Sequence, residues 1–471
     1  MNVPDIEAEF AGAELGDKRR TRRLGQIAAR LGEGPGRSVP KATQTEAELE
    51  ACYRFMNNEQ VTAEAILAPH QRQTVQRAAA HDEVLVVHDT TGFRFCDDDS
   101  RQGLGPLLSK DGAQGFFSHV AMAVALDNVR DPLGVVATHD YVRSTKRVAS
   151  KKTKRITDPN NEYHRFARLV DDSEAVLSGR TQAIHVIDRE ADIYELFARM
   201  VGCKQRFVIR LSDDRATTKP IDSTSGHIRL SEVVRELEGM VEREVPLSAR
   251  THRRAAPAKR RTHPARDGRM ARLSFRATAV QLRRPDHLPK QLADSLALQL
   301  VHVLEVDPPD GHPPVQWMLL TTEPIDTAQA VLRIVDIYRA RWTIEELFKA
   351  LKTGCAFEQR QFRSYDALRR LLAIMLPVAW RLLRIRTAAR TNPDAAGSDL
   401  LTPVQMKLLR ATSKRVKLPQ HPTTVQVLLA IAGLGGHLKR NGQPGWLTLG
   451  RGFDTLLAYE VGYHAALQGQ L

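Results

Sequence analysis

Two aspartates occupy matching places in the sequence, each just past the end of a short apolar run that predicts a strand. Asp89 follows residues 84–87 in VLVVHDTTGF, and Asp188 follows residues 183–187 in AIHVIDREADI. Continuous apolar runs of this length predict strands that are buried on both faces of a sheet. Open α/β sheets bind ligands at the carboxyl ends of parallel strands, so the two carboxylates could converge on one metal ion. An aspartate after a strand also commonly stabilises a turn or begins a helix, and that alternative applies to each one taken alone.

A third carboxylate lies in IYRARWTIEELFKALKTG, part of a stretch that predicts one long helix over residues 327–352. At about 100° per residue, one arc of roughly 60° carries an aromatic hydroxyl, two cations and one acid. These residues are Tyr338, Arg341, Lys352 and Glu345. The apolar residues centre on another side of the helix, and Glu346 falls outside the arc, so the pattern indicates Glu345 as the functional acid. A solvated helix face with spaced charges is the competing interpretation.

Three carboxylates suit Mg²⁺ or Mn²⁺, because these hard ions prefer oxygen ligands. Two such ions about 3.5–4 Å apart can activate a water or a 3′-hydroxyl and stabilise the leaving oxygen of a phosphodiester. Arg341 and Lys352 would then hold a nucleic-acid backbone. The sequence has no phosphate-binding loop, no GxGxxG after a strand and no GxSxG turn, so no nucleotide cofactor is expected. His88 and His185 alternate to the opposite strand faces, and we interpret both as structural.

Positive charge is concentrated in three segments of the chain. The 471 residues include 69 Lys and Arg against 55 Asp and Glu, a formal net charge of +14. Much of the excess lies in residues 17–23 (DKRRTRR), 143–155 (RSTKRVASKKTKR) and 250–272. Because each basic group that meets a phosphate releases counterions, this clustering makes nucleic acid the leading partner. A single basic run is usually a solvated face or flexible loop, and none of the three demonstrates catalysis.

Apolar patterning predicts a mixed α/β fold in the middle of the chain. After a helical start, residues 84–211 have the predicted order β-β-β-α-β-α-β, with parallel strands around the helical crossovers. Residues 212–322 do not continue this order, and we interpret them as a β-rich insertion. We expect three domains: a helical one at residues 1–70, a catalytic one at 71–365 and a helical one at 366–471.

The remaining features argue for a cytosolic protein with no membrane partner. No apolar run reaches the roughly 20 residues of a membrane helix. The N-terminus, MNVPDIEAEF, lacks the basic-then-apolar layout of a secretory signal. The four cysteines are far apart and form no CxxC pair, so reduced thiols are expected rather than a zinc site or a disulfide framework. They are Cys52, Cys96, Cys203 and Cys355.

The motifs together resemble the bacterial DDE transposases of the IS-four group. The similarity begins at LGDKRRTRRL (15–24) and ACYRFMNNEQVTAEAI (51–66), and continues through HDTTGF, VIDREADI, RFVIR and QWMLLTTEP. It fades near LAIAGLGG (429–436). The family signature YxxRxxxExxxxxxK is met in full by the four residues of the helical arc. DREADI followed by that signature is highly specific.

The resemblance implies a ribonuclease-H-like catalytic domain with a β-rich insertion, in which Asp89, Asp188 and Glu345 ligate two metal ions. The other three residues of the arc would contact phosphates of the transposon end near the cleavage site. Trp317, in QWMLL, would stack on a base flipped out during hairpin formation, a contact worth about 1–3 kcal/mol. Packing of this tryptophan within the insertion's own core is the alternative. Weaker candidates for DNA contact, with ordinary surface charge as the alternative for the N-terminal ones, are Arg189, Arg210, Arg19, Arg20 and Arg23.

The resemblance also implies the reaction, which is cut-and-paste transposition. Water nicks one strand at the transposon end, the freed 3′-hydroxyl closes a hairpin, a second water opens it, and the 3′-hydroxyl joins target DNA. Family members work as homodimers that bridge two ends, with the N-terminal domain on end DNA and the C-terminal domain carrying the dimer contact. The expected location is the bacterial cytoplasm, with association to the nucleoid when bound to DNA.

Two other functions are consistent with some of these sequence features. A ribonuclease-H-like metal-dependent nuclease would need the carboxylates, but not the N-terminal basic run, the insertion or Trp317. A transposase-derived protein that only binds DNA, such as a repressor, predicts the loss of at least one carboxylate. All three carboxylates are present.

Overall fold

The computed structural model divides the chain into two compact units. The first unit comprises Met1–Ala183 and Ala340–Leu471, and the second comprises Ile184–Arg339. The structure describes residues 6–95, 101–107, 113–126, 130–143, 162–218, 227–247 and 267–467.

Helices open the first unit, and each longer one begins at a residue whose side chain accepts a backbone N–H. Thr62 accepts from Ala65 N at 3.1 Å, and Asp17 accepts from Arg19 N at 2.7 Å. Such caps satisfy amides that have no partner within the helix. The helices are α1 Ile6–Glu9, α2 Lys18–Glu33, α3 Val39–Ala42, α4 Glu46–Met56 and α5 Ala63–Ala78.

An antiparallel set of strands follows, made of β1 Glu83–Phe95, β2 Gly105–Pro106, β3 Gln114–Ala125 and β4 Pro132–Tyr141. β3 pairs with β1, β2 and β4. The prediction that Asp89 lies just past the end of its strand was wrong, because β1 continues to Phe95 and Asp89 pairs with Val120 in mid-strand. The polar run HDTT resembles a turn, but Phe93 and Phe95 beyond it are fully buried and hold the strand extended.

The core of this unit lies where helices pack on these strands. Helix α6 (Arg165–Leu177) places Leu169 and Leu177 against β1, β3 and β4. The long helix α11 (Tyr365–Thr391) is buried along most of its length, and its Trp380 Nε1 donates to Pro132 O at 2.6 Å. Together these contacts fix β1, and with it Asp89, within a packed interior.

A buried polar network attaches the N-terminal helix to the same core. His70 Nε2 accepts from Val135 N at 3.0 Å, and His70 Nδ1 lies 2.6 Å from Glu9 Oε2. Arg77 Nη1 donates to Glu9 Oε1 at 2.6 Å. Burial lowers the pKa of His70, which fits a neutral ring that donates through Nδ1 and accepts through Nε2.

Shorter helices complete the first unit. They are α10 Trp342–Lys349, α12 Pro403–Thr412, α13 Thr424–Leu434 and α14 Trp446–Leu467. The prediction that the C-terminal region is helical is therefore confirmed. Cys52, Cys203 and Cys355 are free thiols, and Cys96 lies outside the described residues.

The second unit is built on a parallel pair of strands. β5 (Gln182–Ile187) pairs with β6 (Arg206–Arg210) in parallel, and α7 (Tyr194–Gly202) crosses between them, as predicted. The remaining elements are β7 Ala216–Thr218, β8 His227–Arg229, α8 Leu230–Glu236, β9 Val241–Leu247, β10 Arg269–Arg283, β11 Ser295–Val306, β12 Gln316–Thr321 and α9 Ala328–Ala340.

The last strand of residues 212–322 joins the mixed sheet. β12 pairs with β6, matching Leu319 with Arg210 and Leu320 with Ile209, and β11 and β10 follow in antiparallel order. The backbone of β12 covers a strand edge that β6 alone would leave open, and Leu319 and Leu320 are fully buried there. Helix α8 within this segment was not predicted.

The fold is mixed α/β with helices at both ends, as predicted. Within the described ranges, every helix is too short or too polar to cross a bilayer.

Candidate active site

One arginine links two of the predicted carboxylates in the first unit. Arg341 Nη1 lies 3.1 Å from Asp89 Oδ2, and Arg341 Nη2 donates a hydrogen bond to Glu345 Oε1. The arginine is only 8% exposed, whereas the side chains of Asp89 and Glu345 are about a quarter exposed, at 25% and 26%. Asp89 and Glu345 therefore point at the same cation, although they come from a strand and a helix.

The helix that carries Glu345 is not the single long helix that was predicted over residues 327–352. Helix α9 ends at Ala340, α10 runs from Trp342 to Lys349, and a π-turn occupies Ala350–Gly354. Because a π-turn has more residues per turn than an α-helix, the ideal spacing used for Lys352 does not apply beyond α10. Arg341 precedes the first turn of α10, and Glu345 lies within that turn.

Lys352 contacts the strand that carries Asp89. Its Nζ donates to Gly92 O at 2.6 Å and lies 3.7 Å from Glu358 Oε1. Burial lowers the pKa of this ammonium group. Glu346, the acid outside the arc, accepts from Lys349 Nζ at 2.7 Å, away from Arg341.

The second unit brings three other predicted residues together. Asp188 directly follows β5 and accepts from Arg189 N at 2.6 Å, so it also caps the short 3₁₀ helix at Arg189–Ala191. Tyr338 Oη donates to Asp188 Oδ1 at 3.3 Å. The ring of Trp317, which is half-buried on β12, has its centroid 5.8 Å from that of Tyr338.

Two models of known families match the chain. Residues 6–61 match Transposase DNA-binding, and residues 80–380 match Transposase DDE domain. The second match alone covers more than half of the 471 residues. The chain belongs to the DDE transposase family. Its mixed α/β fold is accordingly ribonuclease-H-like, its activity is that of a DNA-cleaving transposase, and its partner is DNA. DDE transposases generally use divalent metal ions.

The donor atoms of this transposase suit such an ion. Asp89 and Glu345 supply oxygen ligands only, as a hard divalent cation prefers, and both are already aimed at one positive charge. No group of three or more His, Cys, Asp or Glu side chains is gathered as a metal cluster in the described ranges. Arg341 currently provides the charge that these two carboxylates share.

The basic residues predicted to bind DNA occupy different environments in the transposase. Arg19 and Arg189 are exposed, whereas Arg23 and Arg210 are half-buried. Arg20 Nη1 donates to Leu15 O at 3.1 Å and its Nη2 donates to Gln60 Oε1, so these contacts orient its guanidinium. The basic segments at residues 144–155 and 250–266 lie outside the described residues.

Side chains that the sequence did not single out surround Asp89. Thr90 N donates to Asp89 Oδ1 at 2.8 Å, and Thr90 Oγ1 lies 2.8 Å from His119 Nδ1 and 3.3 Å from Arg165 Nε. The sequence offered one indication, which is that YHRFARL places two arginines three residues apart at the start of a predicted helix.

Proposed function

We propose that this protein is a cut-and-paste DNA transposase of the IS-four group, similar to the Tn-five transposase, with Asp89, Asp188 and Glu345 as metal ligands. The observation that carries the proposal is the convergence of Asp89 and Glu345 on the Arg341 guanidinium, because two carboxylates from distant segments share one site of positive charge. A ribonuclease-H-like nuclease shares these ligands. The transposase DNA-binding match at residues 6–61 favours transposition over that alternative.

Mg²⁺ or Mn²⁺, two ions per site, would supply activation of the attacking oxygen and stabilisation of the leaving oxygen. The protein's own contribution is orientation. Tyr338 holds the Asp188 carboxylate through its hydroxyl, and the β1 ladder holds Asp89. Arg341 balances the charge of Asp89 and Glu345, and with metal ions bound there its guanidinium would be available to a DNA phosphate.

Other residues would position DNA. Lys352 lies beside β1 and would neutralise a phosphate near the cleaved bond. Trp317, next to Tyr338, would stack on a flipped base while the hairpin forms. The N-terminal domain (1–70), with Arg19, Arg20 and Arg23, would bind the transposon end, assisted by Arg189 and Arg210. These DNA contacts are proposals by analogy with the family.

The proposed reaction is a nick, hairpin closure, hairpin opening and joining of the 3′-hydroxyl to target DNA. The catalytic domain (71–365) performs all steps, and two subunits bridge the two ends through their C-terminal domains (366–471). The enzyme acts in the bacterial cytoplasm at the nucleoid.

The test is cleavage of DNA that carries the element's own ends, with Mg²⁺ present. We expect wild type to produce nicks and then hairpins, and Glu345→Ala to bind the ends but produce neither. Glu346→Gln is the matched control, because the neighbouring acid pairs with Lys349 instead, and it should cleave normally if its melting temperature is unchanged.

The other outcomes separate the alternatives. Cleavage by Glu345→Ala would remove Glu345 from the site. Cleavage by wild type without strand joining would indicate a nuclease. Tight binding of the ends without cleavage by wild type would indicate a DNA-binding protein derived from a transposase.

A further inference from the structure

Helix α6 begins with two arginines on one face. Arg165 and Arg168 are three residues apart, and such residues are neighbours on a helix surface. The first turn of α6 contains no acid. A helix N-terminus carries partial positive charge, so two cations there do not stabilise the helix itself. An anion bound nearby would offset this concentration of positive charge.

Arg165 is held close to the proposed metal ligand Asp89. Its Nε donates to Thr90 Oγ1 at 3.3 Å, and its Nη1 donates to Glu162 O at 2.8 Å. Thr90 in turn donates its backbone N–H to Asp89 Oδ1 at 2.8 Å. The guanidinium is therefore fixed beside the residue that follows Asp89 on β1.

Arg168 is exposed, and its charge acts on the Asp172 carboxylate further along α6 without a direct ion pair. Its Nη1 lies 3.2 Å from both ring nitrogens of His139, and it makes no ion pair with Asp or Glu in the described part of the chain. Nearby arginines differ in this respect. Arg143 pairs with Glu162 at 2.7 Å, and Arg369 pairs with Asp140 at 3.3 Å.

The behaviour of His139 agrees with a local excess of positive charge. Burial, followed by the charges of Arg168, Arg369 and Arg165, lowers the pKa of His139 to about 4. The imidazole on β4 therefore stays neutral among these guanidinium groups at physiological pH. Its other neighbour, Tyr141, stacks on it with ring centroids 5.7 Å apart and brings no negative charge at that pH.

We propose that Arg165 and Arg168 bind backbone phosphates of DNA beside Asp89. The pair forms a contact surface separate from the residues of the helical arc, and it recognises phosphate irrespective of sequence. This inference rests on the proposed function, since it takes Asp89 as a ligand at the cleaved bond. Two DNA duplexes present the same phosphate backbone to this surface, namely the transposon end and the target.

The experiment measures how DNA affinity depends on salt. Arg168→Gln and the double variant Arg165→Gln/Arg168→Gln are compared with Arg180→Gln, an exposed arginine just beyond the end of α6. Fluorescence anisotropy is recorded over a range of NaCl concentrations with a duplex carrying the element's end. It is then recorded with a labelled unrelated duplex added to the preformed end complex.

DNA affinity falls as salt rises, and each lost phosphate contact should make the slope of log affinity against log salt less steep by about 0.9. We expect the steepness to decrease by about 1 for Arg168→Gln and by about 2 for the double variant. It should not change for Arg180→Gln. A decrease with the end duplex assigns the pair to the transposon end, and a decrease only with the unrelated duplex assigns it to the target. Unchanged slopes with both duplexes would overturn the proposal.

Arg168→Gln alters an exposed side chain, and its melting temperature checks that the fold is kept. A second measurement follows the His139 imidazole by NMR, assigned with His139→Gln. Bound phosphate should raise its pKa by offsetting the neighbouring guanidinium charges, and an unchanged pKa in the saturated complex would count against the proposal. If the wild type cleaves normally and the slopes of the arginine variants are unchanged, only this inference is rejected. If the slopes of the variants are less steep but the wild type does not cleave, only the transposase activity is rejected.

Discussion

Arg341 Nη1 lies 3.1 Å from Asp89 Oδ2, and the same guanidinium also hydrogen-bonds Glu345. A buried arginine therefore occupies the charge-balancing position between two proposed metal ligands. If Asp89 and Glu345 bind a metal ion as proposed, the ion and the Arg341 guanidinium would compete for the same oxygens. Metal binding and release of Arg341 would then be linked equilibria.

Replacing Arg341 should reveal this competition. We expect Arg341→Ala to bind Mn²⁺ about 2–10-fold more tightly by isothermal titration calorimetry, because a partly exposed ion pair of about 0.5–1.4 kcal/mol no longer opposes it. Cleavage should nevertheless fall, since the phosphate contact is lost. Arg339→Ala, which removes a partner of Asp336 instead, is the control. Unchanged or weaker Mn²⁺ binding by Arg341→Ala would contradict the competition.

Removing the Tyr338 hydroxyl tests its role in orienting Asp188. Tyr338→Phe loses one hydrogen bond, worth about 1 kcal/mol, so single-turnover nicking should slow by roughly 3–10-fold while binding of the end is retained. Tyr459→Phe, on the exposed part of α14, provides the control. A rate equal to wild type would show that the hydroxyl does not position the carboxylate.

Trp317 should affect one step more than the others. Trp317→Ala is expected to nick normally but to form hairpins about 10–100-fold more slowly, because stacking of a base on an aromatic ring is worth about 1–3 kcal/mol. Trp317→Phe keeps an aromatic face and should recover most of the rate. Denaturing gels resolve nicked and hairpin products. Equal loss of both products would instead indicate that Trp317 supports packing against Tyr338.

Asp454 makes stability depend on pH. Burial raises its pKa to about 6, although Gly36 N donates to its Oδ1 at 3.3 Å. Since the pKa in the folded protein exceeds the ordinary aspartate value of 3.8, the wild type should lose stability as pH rises from about 4 through 6. Asp454→Asn should be more stable than wild type by roughly 1–2 kcal/mol at about pH 8 and equal to it near pH 4, as measured by urea unfolding. A difference that does not vary with pH would exclude this titration.

Much of the fold was predictable, because apolar runs and capping residues act locally. The strands β3 to β6 and the cap at Thr62 follow from residues that are close in sequence. The extension of β1 to Phe95 was not predictable, because it depends on aromatic packing with Phe357, more than 250 residues away. The ring centroids of Phe93 and Phe357 lie 4.8 Å apart. The pairing of β12 with β6 is likewise a long-range contact that no local pattern encodes.

The candidate site was predictable in composition more than in arrangement. Residue types and spacing identified Asp89, Asp188 and Glu345 as candidates, and that assignment stays a prediction. Helical spacing placed Arg341 and Glu345 on one face, but it could not show that the arginine would bridge to Asp89. Arg165 was missed because its contact with Thr90 joins segments 75 residues apart.

The position of Asp89 in the middle of β1 has a consequence for motion. Its neighbours in the strand are hydrogen-bonded to β3 along twelve matched residue pairs, so its backbone should exchange amide hydrogen slowly and move little between catalytic steps. Glu345 instead lies on an eight-residue helix that continues into a π-turn. If Asp89 and Glu345 hold the metal ions as proposed, any adjustment of ligand spacing between catalytic steps would fall on the helix, while the strand would serve as the fixed reference.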